Sequence, residues 1–418
     1  MKKSVLVLGA GYGGIFAAAH LCKEGLFDVT IVDRNRFHQL LQQIHHIVSG
    51  SKKPGDITIG IEELFRDENG EGCLSVINAT VEGIDLNRKT VEMQEGGSAK
   101  VRHYDLVIIS LGAETQYFGI KGAEKHCMPF RSVRDALGIQ KNIENLPANS
   151  TIVIGGGGPT GVSLAAAVSE MAELGNRKIN IKIIDSAESL LSGWDARLAA
   201  TSRTMLAAMG VEIITRKKIN EVRSDCIVTD SGEKIKSDCT MWTAGVKGYG
   251  VSTVPEVERT KAGRIVVDRH SKIPGFEDAF AIGDISAFEL PDSNGGDTAP
   301  QLAQFAVRQA RFVADNIVRR ERGEEMNDRL GFCQRGHTIA IGKKNLGLLS
   351  GLLVTGRMCD YAEDSIVDNF VTEIKNREHG ISAKATAAKV PPEDEGEYPA
   401  PFNFVTYATS DAFAELVR

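Results

Sequence analysis

Twice in this chain an apolar run breaks into a cluster of glycines, resumes as a helix-forming stretch, and returns as a second apolar run ending in aspartate. The first instance is SVLVL, then Gly9-Ala-Gly11-Tyr-Gly13-Gly14, then IFAAAHL, then DVTIVD ending at Asp33, 24 residues beyond Gly9. The second is TIVIG, then Gly156-Gly-Gly158-Pro-Thr-Gly161, then VSLAAAVSEMAEL, then INIKIID ending at Asp185, 29 residues beyond Gly156. Each part has a physical job. Glycines allow the tight turn and the close approach of phosphate oxygens, and the helix start offers unpaired N–H groups and the positive end of a dipole. The acid accepts hydrogen bonds from a ribose. One G-x-G-x-x-G is weak evidence, but two with strand, helix and acid in register predict two dinucleotide-binding units.

The repeat extends further along the chain. After the first unit, YDLVIISLGAE ends in Gly112-Ala113-Glu114; after the second, CTMWTAGV ends in Ala244-Gly245. Each reads as a strand that returns to its sheet and stops in small residues beside a ligand. Late in the chain AFAIGDISAF supplies another such strand, ending in Gly283-Asp284. The first unit and this late strand flank the second unit, which therefore looks inserted. The expected division is 1–119 with 256–325, then 120–255, then a C-terminal region 326–418. A split domain with a closing strand suits a permanently held cofactor, and a free-standing insert suits an exchangeable one. The fold class is α/β, with two Rossmann-like dinucleotide-binding domains in a glutathione-reductase-like arrangement.

Composition narrows the alternatives. A chain of 418 residues exceeds one compact core, and 42% hydrophobic with 25% charged residues is ordinary for a soluble protein. A net charge of −6 argues against a nucleic-acid partner. Seven cysteines without a C-x-x-C pair argue against zinc and against a secreted disulfide framework, so no metal is expected and a reducing cytoplasm fits. Lys2-Lys3 before an apolar run imitates a secretory signal, but Gly9, Gly11, Gly13 and Gly14 break that run into strand, turn and helix. No uninterrupted apolar run is long enough for a spanning helix. His45-His46 are adjacent on a predicted helix and do not face one metal.

The segments DRNRFHQLLQQIHHIVSG (33–50), LVIISLGAETQYFGIKGAEKHCMPFRSVRDAL (106–137), GGGPTGV, MWTAGV, IPGFEDAFAIGD and PQLAQFAVRQARFVADNI follow one another in an order that resembles the type II NADH dehydrogenases. The likeness covers roughly residues 1–345. It implies a single-subunit flavoenzyme that passes electrons from NADH to a quinone. It implies FAD at Gly9, Gly11, Gly13, Gly14, Asp33, Arg34, Ala113, Glu114, Gly283 and Asp284. NADH is implied at Gly156, Gly158, Gly161, Asp185, Ala244 and Gly245. Ala303 and Gln304, in the AQ of PQLAQFAVRQ, are implied to lie over the flavin and line the quinone pocket, as the catalytic pair. Pro300 near the helix start would let the dipole of that helix stabilise a reduced flavin.

Three departures from the family pattern stand out. Ser163 occupies the position of a glutamate two residues after the last glycine. Arg308 replaces the last glutamine of A-Q-x-A-x-Q, with Gln309 one step on; it either favours a more polar acceptor or faces solvent. Near the C-terminus NLGLLSGLLVTG (345–356) is short and glycine-broken, and the next segment places Ile366, Phe370, Val371 and Ile374 on one helical face opposite an acidic one. A lipid-binding helix wants a basic polar face. Membrane contact is therefore expected to be weak or peripheral, at the inner face of the cell membrane if anywhere, and packing on the body or in a homodimer is the stronger use of that helix. Rival readings are a sulfide:quinone oxidoreductase, which would call on Cys127, Cys333 or Cys359, a reductase of a small electron-carrier protein, and an NADH-sensing flavoprotein.

Overall fold

The computed structural model describes residues 2–66, 72–291, 298–332, 336–349, 351–356 and Cys359. The elements that build the two units are β1 (Lys3–Leu8), α1 (Tyr12–Glu24), β2 (Phe27–Asp33), β3 (Ser75–Asp85), β4 (Thr90–Glu95), β5 (Ser98–His103) and β6 (Leu106–Ile109) in the first. In the second they are β7 (Cys127–Pro129), α2 (Val133–Asn145), β8 (Ser150–Gly155), α3 (Pro159–Leu174), β9 (Ile179–Ile184), α4 (Ala196–Ala208), β10 (Val211–Ile214) and β11 (Cys239–Trp242). The chain then returns to the first with β12 (Ala279–Ala281) and α5 (Ala303–Arg322).

The first sheet runs β12-β6-β1-β2-β3-β4-β5. It is parallel from β12 to β3, while β4 and β5 fold back antiparallel. Ser252–Val254 adds alongside Gly83–Asp85 of β3, so this piece of the expected insert belongs to the first sheet. The second sheet runs β7-β11-β8-β9-β10, parallel throughout. Strands covered on both faces read as continuous apolar runs. That is why Val5–Leu8 and Ile152–Ile154 are buried without alternation. In each sheet the strand that leads into the glycine turn, β1 or β8, has neighbours on both sides, with the turn at its carboxyl end. Its neighbours lie on opposite sides, β2 and β6 around β1, β9 and β11 around β8, which makes the switch point where ligands bind in open α/β sheets.

Helix α1 shows Gly13, Gly14 and Ala17–Ala19 to the interior, and these small residues let α5 pack closely on it. Helix α5 buries Phe305, Ala306, Gln309, Ala310, Val313, Ala314 and Ile317, a stripe of helical spacing, and stops at Gly323 with φ 75°. The short helix His45–Ser49 of the first unit packs on α2 and α3 of the second. Gly336–Ile341, Lys344–Leu349 and Leu352–Thr355 form a three-stranded antiparallel set, which takes in the apolar glycine-broken segment. The face formed by Ile366, Phe370, Val371 and Ile374 lies outside the described residues. Among the described residues no helix is long and apolar enough to cross a membrane.

Candidate functional site

Both glycine turns are built by the same bonds. Gly9 has φ 103° and Gly156 φ 111°, backbone that side chains rarely adopt. A Cβ on Gly9 would stand 2.5 Å from the carbonyl oxygen of Ser110, and one on Gly156 would stand 2.6 Å from Cα of Ala244. A Cβ on Gly14 would lie 1.9 Å from the carbonyl oxygen of Gly9, and one on Gly161 would lie 1.9 Å from that of Gly156. A hydroxyl from the neighbouring strand steadies each turn. Ser110 Oγ donates to the carbonyls of Leu8 and Gly9 at 3.0 and 2.9 Å. Thr243 Oγ1 reaches those of Gly155 and Gly156, each at 3.1 Å.

The two acids bind their loops in the same way. Asp33 accepts from the N–H of Ala10 at 2.7 Å and of Asn35 at 2.7 Å. Asp185 accepts from the N–H of Gly157 at 2.5 Å and of Ala187 at 2.6 Å. Burial raises the Asp33 carboxyl above its ordinary range, while the two N–H donors and Arg34 pull it down. Each acid thus shapes its glycine turn and keeps lone pairs for a ribose hydroxyl. Gly11 and Gly158 complete the comparison. Both sit at helix starts with ordinary φ of −73°, and a Cβ on either would meet nothing within 4 Å. The protein itself has no steric need for glycine there, and the space that a side chain would fill is open. The residues present fit a dinucleotide at each turn.

The remaining expected residues occupy varied places. Gly13 is buried, its Cβ direction 3.3 Å from Ile282 Cδ1, so it faces the protein and serves helix packing. Arg34 is exposed; Ala113 and Glu114 are half-buried, and the Glu114 carboxylate meets Lys247 at 3.1 Å. Ala244 is exposed, and Gly245 lies under the ring of Phe118, where a Cβ would come within 2.6 Å of Cζ. The strand that leaves Gly245, Val246–Gly248, pairs antiparallel with Ala113–Thr115 and lies against the Gly283–Ile285 turn. One segment therefore runs from the second turn to the edge of the first. Ala303 and Gln304 are exposed in the first turn of α5, while Ser163 and Arg308 are half-buried.

Gln309, one step beyond Arg308, is turned into the protein. Its Oε1 accepts from the N–H of Gly283 at 2.8 Å, and its Nε2 reaches Ser271 Oγ at 2.9 Å and Ser286 Oγ at 3.0 Å. The helical stripe of α5 decides this orientation, and that spacing was readable in the sequence. Asp284, half-buried, has Arg131 at 3.6 Å. Burial raises its carboxyl above the ordinary range, with Arg131 and the buried Arg264 pulling it down. Arg264 also donates to the carbonyls of Ser286 and Ala299, each at 2.8 Å, and so fixes the approach to α5. Neither arginine was singled out from the sequence, because nothing local in it marks either one.

Beside Asp33, whose carbonyl accepts from Asn78 at 3.1 Å, a cleft of about 580 Å³ is lined by Arg36, Val76, Ile77 and Asn78 among others. The second acid has its own missed neighbour: Arg216, from the loop after β10, pairs with Glu188. Cys127 and Cys239 are buried in adjacent strands and burial pushes both up to about 12, Cys359 is buried, and Cys333 lies outside the described residues.

The pyridine nucleotide-disulphide oxidoreductase family matches residues 3–310. The chain belongs to that family. Among curated relatives, a type II NADH:quinone oxidoreductase of Staphylococcus haemolyticus is 28% identical over 89% of this chain and 96% of its own length. The NADH dehydrogenase-like protein YutJ of Bacillus subtilis is 30% identical over 86% of this chain and 95% of its own. Among solved structures, NDH2 of Plasmodium falciparum in complex with NADH superposes with a TM-score of 0.78 at 16% identity, over 90% of this chain and 97% of that one. The family accounts for the doubled cradle, and the two-domain dinucleotide fold expected from the glycine turns is the fold observed.

Proposed function

We propose that this oxidoreductase takes reducing equivalents from NADH on the second cradle, through FAD on the first, to a quinone. The observation that carries the reading is the pair of matching cradles joined by Val246–Gly248, which runs from one to the other. Bound there, FAD would supply a hydride acceptor for the nicotinamide and a two-electron donor for the quinone. The protein's own residues hold and orient. In the first domain, 1–119 with 256–325, Gly11 leaves room for the pyrophosphate beside the N-terminus of α1, Asp33 receives a ribose, and Asp284 stands at the edge between Arg131 and Arg264. In the second, 120–255 less the Ser252–Val254 strand that joins the first sheet, Gly158 and the N-terminus of α3 receive the nicotinamide dinucleotide, and Asp185 its adenosine ribose. Gln304, exposed one residue into α5, contacts the acceptor.

Stopped-flow mixing tests the reading. Fast bleaching of the flavin by NADH followed by fast recovery with a soluble quinone supports it, and Gln304→Ala should slow the recovery far more than the bleaching. Bleaching without recovery by any quinone would replace it with reduction of a carrier protein. Slow bleaching would make the protein a sensor. Membrane contact is peripheral in this reading, so a salt wash should release the protein from membranes.

A further inference from the structure

We propose that Glu188 and Arg216 form a charge latch at the adenosine end of the second cradle, and that this latch sets the choice between NADH and NADPH. The inference rests on the reading that the nicotinamide dinucleotide binds at Gly156–Gly161 and Asp185. Four observations lead to it. Both carboxylate oxygens of Asp185 are tied to loop N–H groups, of Gly157 and Ala187, so its place is fixed. The loop after β10 is stitched to the same stretch, because Arg216 N–H donates to the carbonyl of Ala187 at 2.8 Å and Lys217 N–H to that of Asp185 at 3.0 Å. Arg216 is held there with φ 57°, left-handed backbone that a non-glycine residue adopts at a cost. Its guanidinium pairs with Glu188, and the two side chains are 69% and 77% exposed.

A ribose 2′-hydroxyl at Asp185 needs only an acceptor. A 2′-phosphate at the same place brings a second negative charge and needs a cation to offset the carboxylate. That cation is present in Arg216, whose planar fork suits a phosphate, but Glu188 occupies it. The neighbouring Lys217 is occupied by Glu233. An exposed ion pair is weakly held, so the latch is opened by removing one carboxylate without disturbing the core. Glu188 acts here through Arg216, as a specificity-determining residue rather than a ligand.

The test uses the purified FAD-loaded protein, with AMP and adenosine 2′,5′-bisphosphate as calorimetric probes, and NADH and NADPH in flavin-bleaching assays. Glu188→Gln should tighten the bisphosphate by about tenfold and leave AMP nearly unchanged. It should raise the bleaching rate at limiting NADPH by a similar factor. Adding Arg216→Gln should abolish both gains. The latch is overturned if Glu188→Gln leaves the bisphosphate affinity unchanged, if it strengthens both probes equally, or if the gain survives Arg216→Gln. Asp185→Ala separates the two levels. Weaker AMP binding in that variant, with no effect of Glu188→Gln, removes the latch and keeps the cradle; no effect of either variant on either probe removes both.

Discussion

In the first cradle the turn after β1 is covered by a third element: α5 packs on α1, Gly13 sits against Ile282, and Gln309 pins the Gly283 turn from within. In the second cradle the corresponding turn has the same internal bonds, and its strand ends carry an exposed ion pair, Glu188 with Arg216. In the proposed reading the same local chemistry would serve a retained ligand at the first turn and an exchanging one at the second. The difference lies in what the rest of the chain brings to each turn.

Substitutions can break that comparison at several levels. The largest effect is expected from Gly14→Ala and Gly161→Ala, which drive a Cβ into the carbonyl of Gly9 or Gly156. Each should cost about 3 kcal/mol or more in chemical denaturation, because backbone cannot step aside as a flexible side chain does. Gly14→Ala should purify with little flavin, whereas Gly161→Ala should stay yellow and resist bleaching by NADH. Loss of flavin in both would mean that the cradles are not independent.

Next comes Gln309→Leu, which removes the acceptor for the Gly283 N–H and the donor to two buried serines. A buried N–H without a partner costs about 1–3 kcal/mol, and flavin retention on dilution should fall with it. Retention equal to wild type would place the flavin away from that turn.

Acid should act on the contact between the two units. His45, on the helix that packs against α2 and α3, is lowered to about 3, first by burial and then by the charges of His46 and Lys52. The unfolded chain takes up this proton near pH 6.5 and the folded chain does not. Stability from this group is therefore present above about 6.5 and lost as pH falls, by about 1.4 kcal/mol at pH 5.5. The raised carboxyls of Asp33 and Asp284 work in the opposite sense, favouring the folded state as they protonate. His38, lowered by burial to about 4, loses a similar amount over the same range. His45→Gln, which keeps a donor but no titration, should therefore reduce the acid slope of thermal melts by about half. An unchanged acid slope would assign it to another group.

The smallest effect on stability is expected from Gly11→Ala and Gly158→Ala, whose side chains would enter open space at ordinary φ. Melting should shift by less than about 1 kcal/mol, upward if at all. Gly11→Ala should nonetheless weaken flavin and Gly158→Ala nicotinamide binding. Undiminished binding in either variant would show that its ligand runs elsewhere.

Local order was legible in the residues themselves. Apolar strand, glycine turn, helix and acid follow from rules of spacing that act within about thirty positions, and Ser110 and Thr243 sit at matching places in the two repeats. The helical stripe that buries Gln309 was equally present in the spacing of Phe305, Ala306, Ala310, Val313 and Ile317.

What only the folded chain decided are the meetings between segments far apart. Arg131 reaches Asp284 from before α2, Arg264 joins it from another loop, and Arg216 closes on Glu188 across a crossover helix. Such pairs depend on which loops the two sheets place side by side at their carboxyl ends, and no periodicity records that. The sequence alone determined that two dinucleotide cradles exist, because each is a local device; the charges arranged around them are set by sheet order and packing, which act over the whole chain.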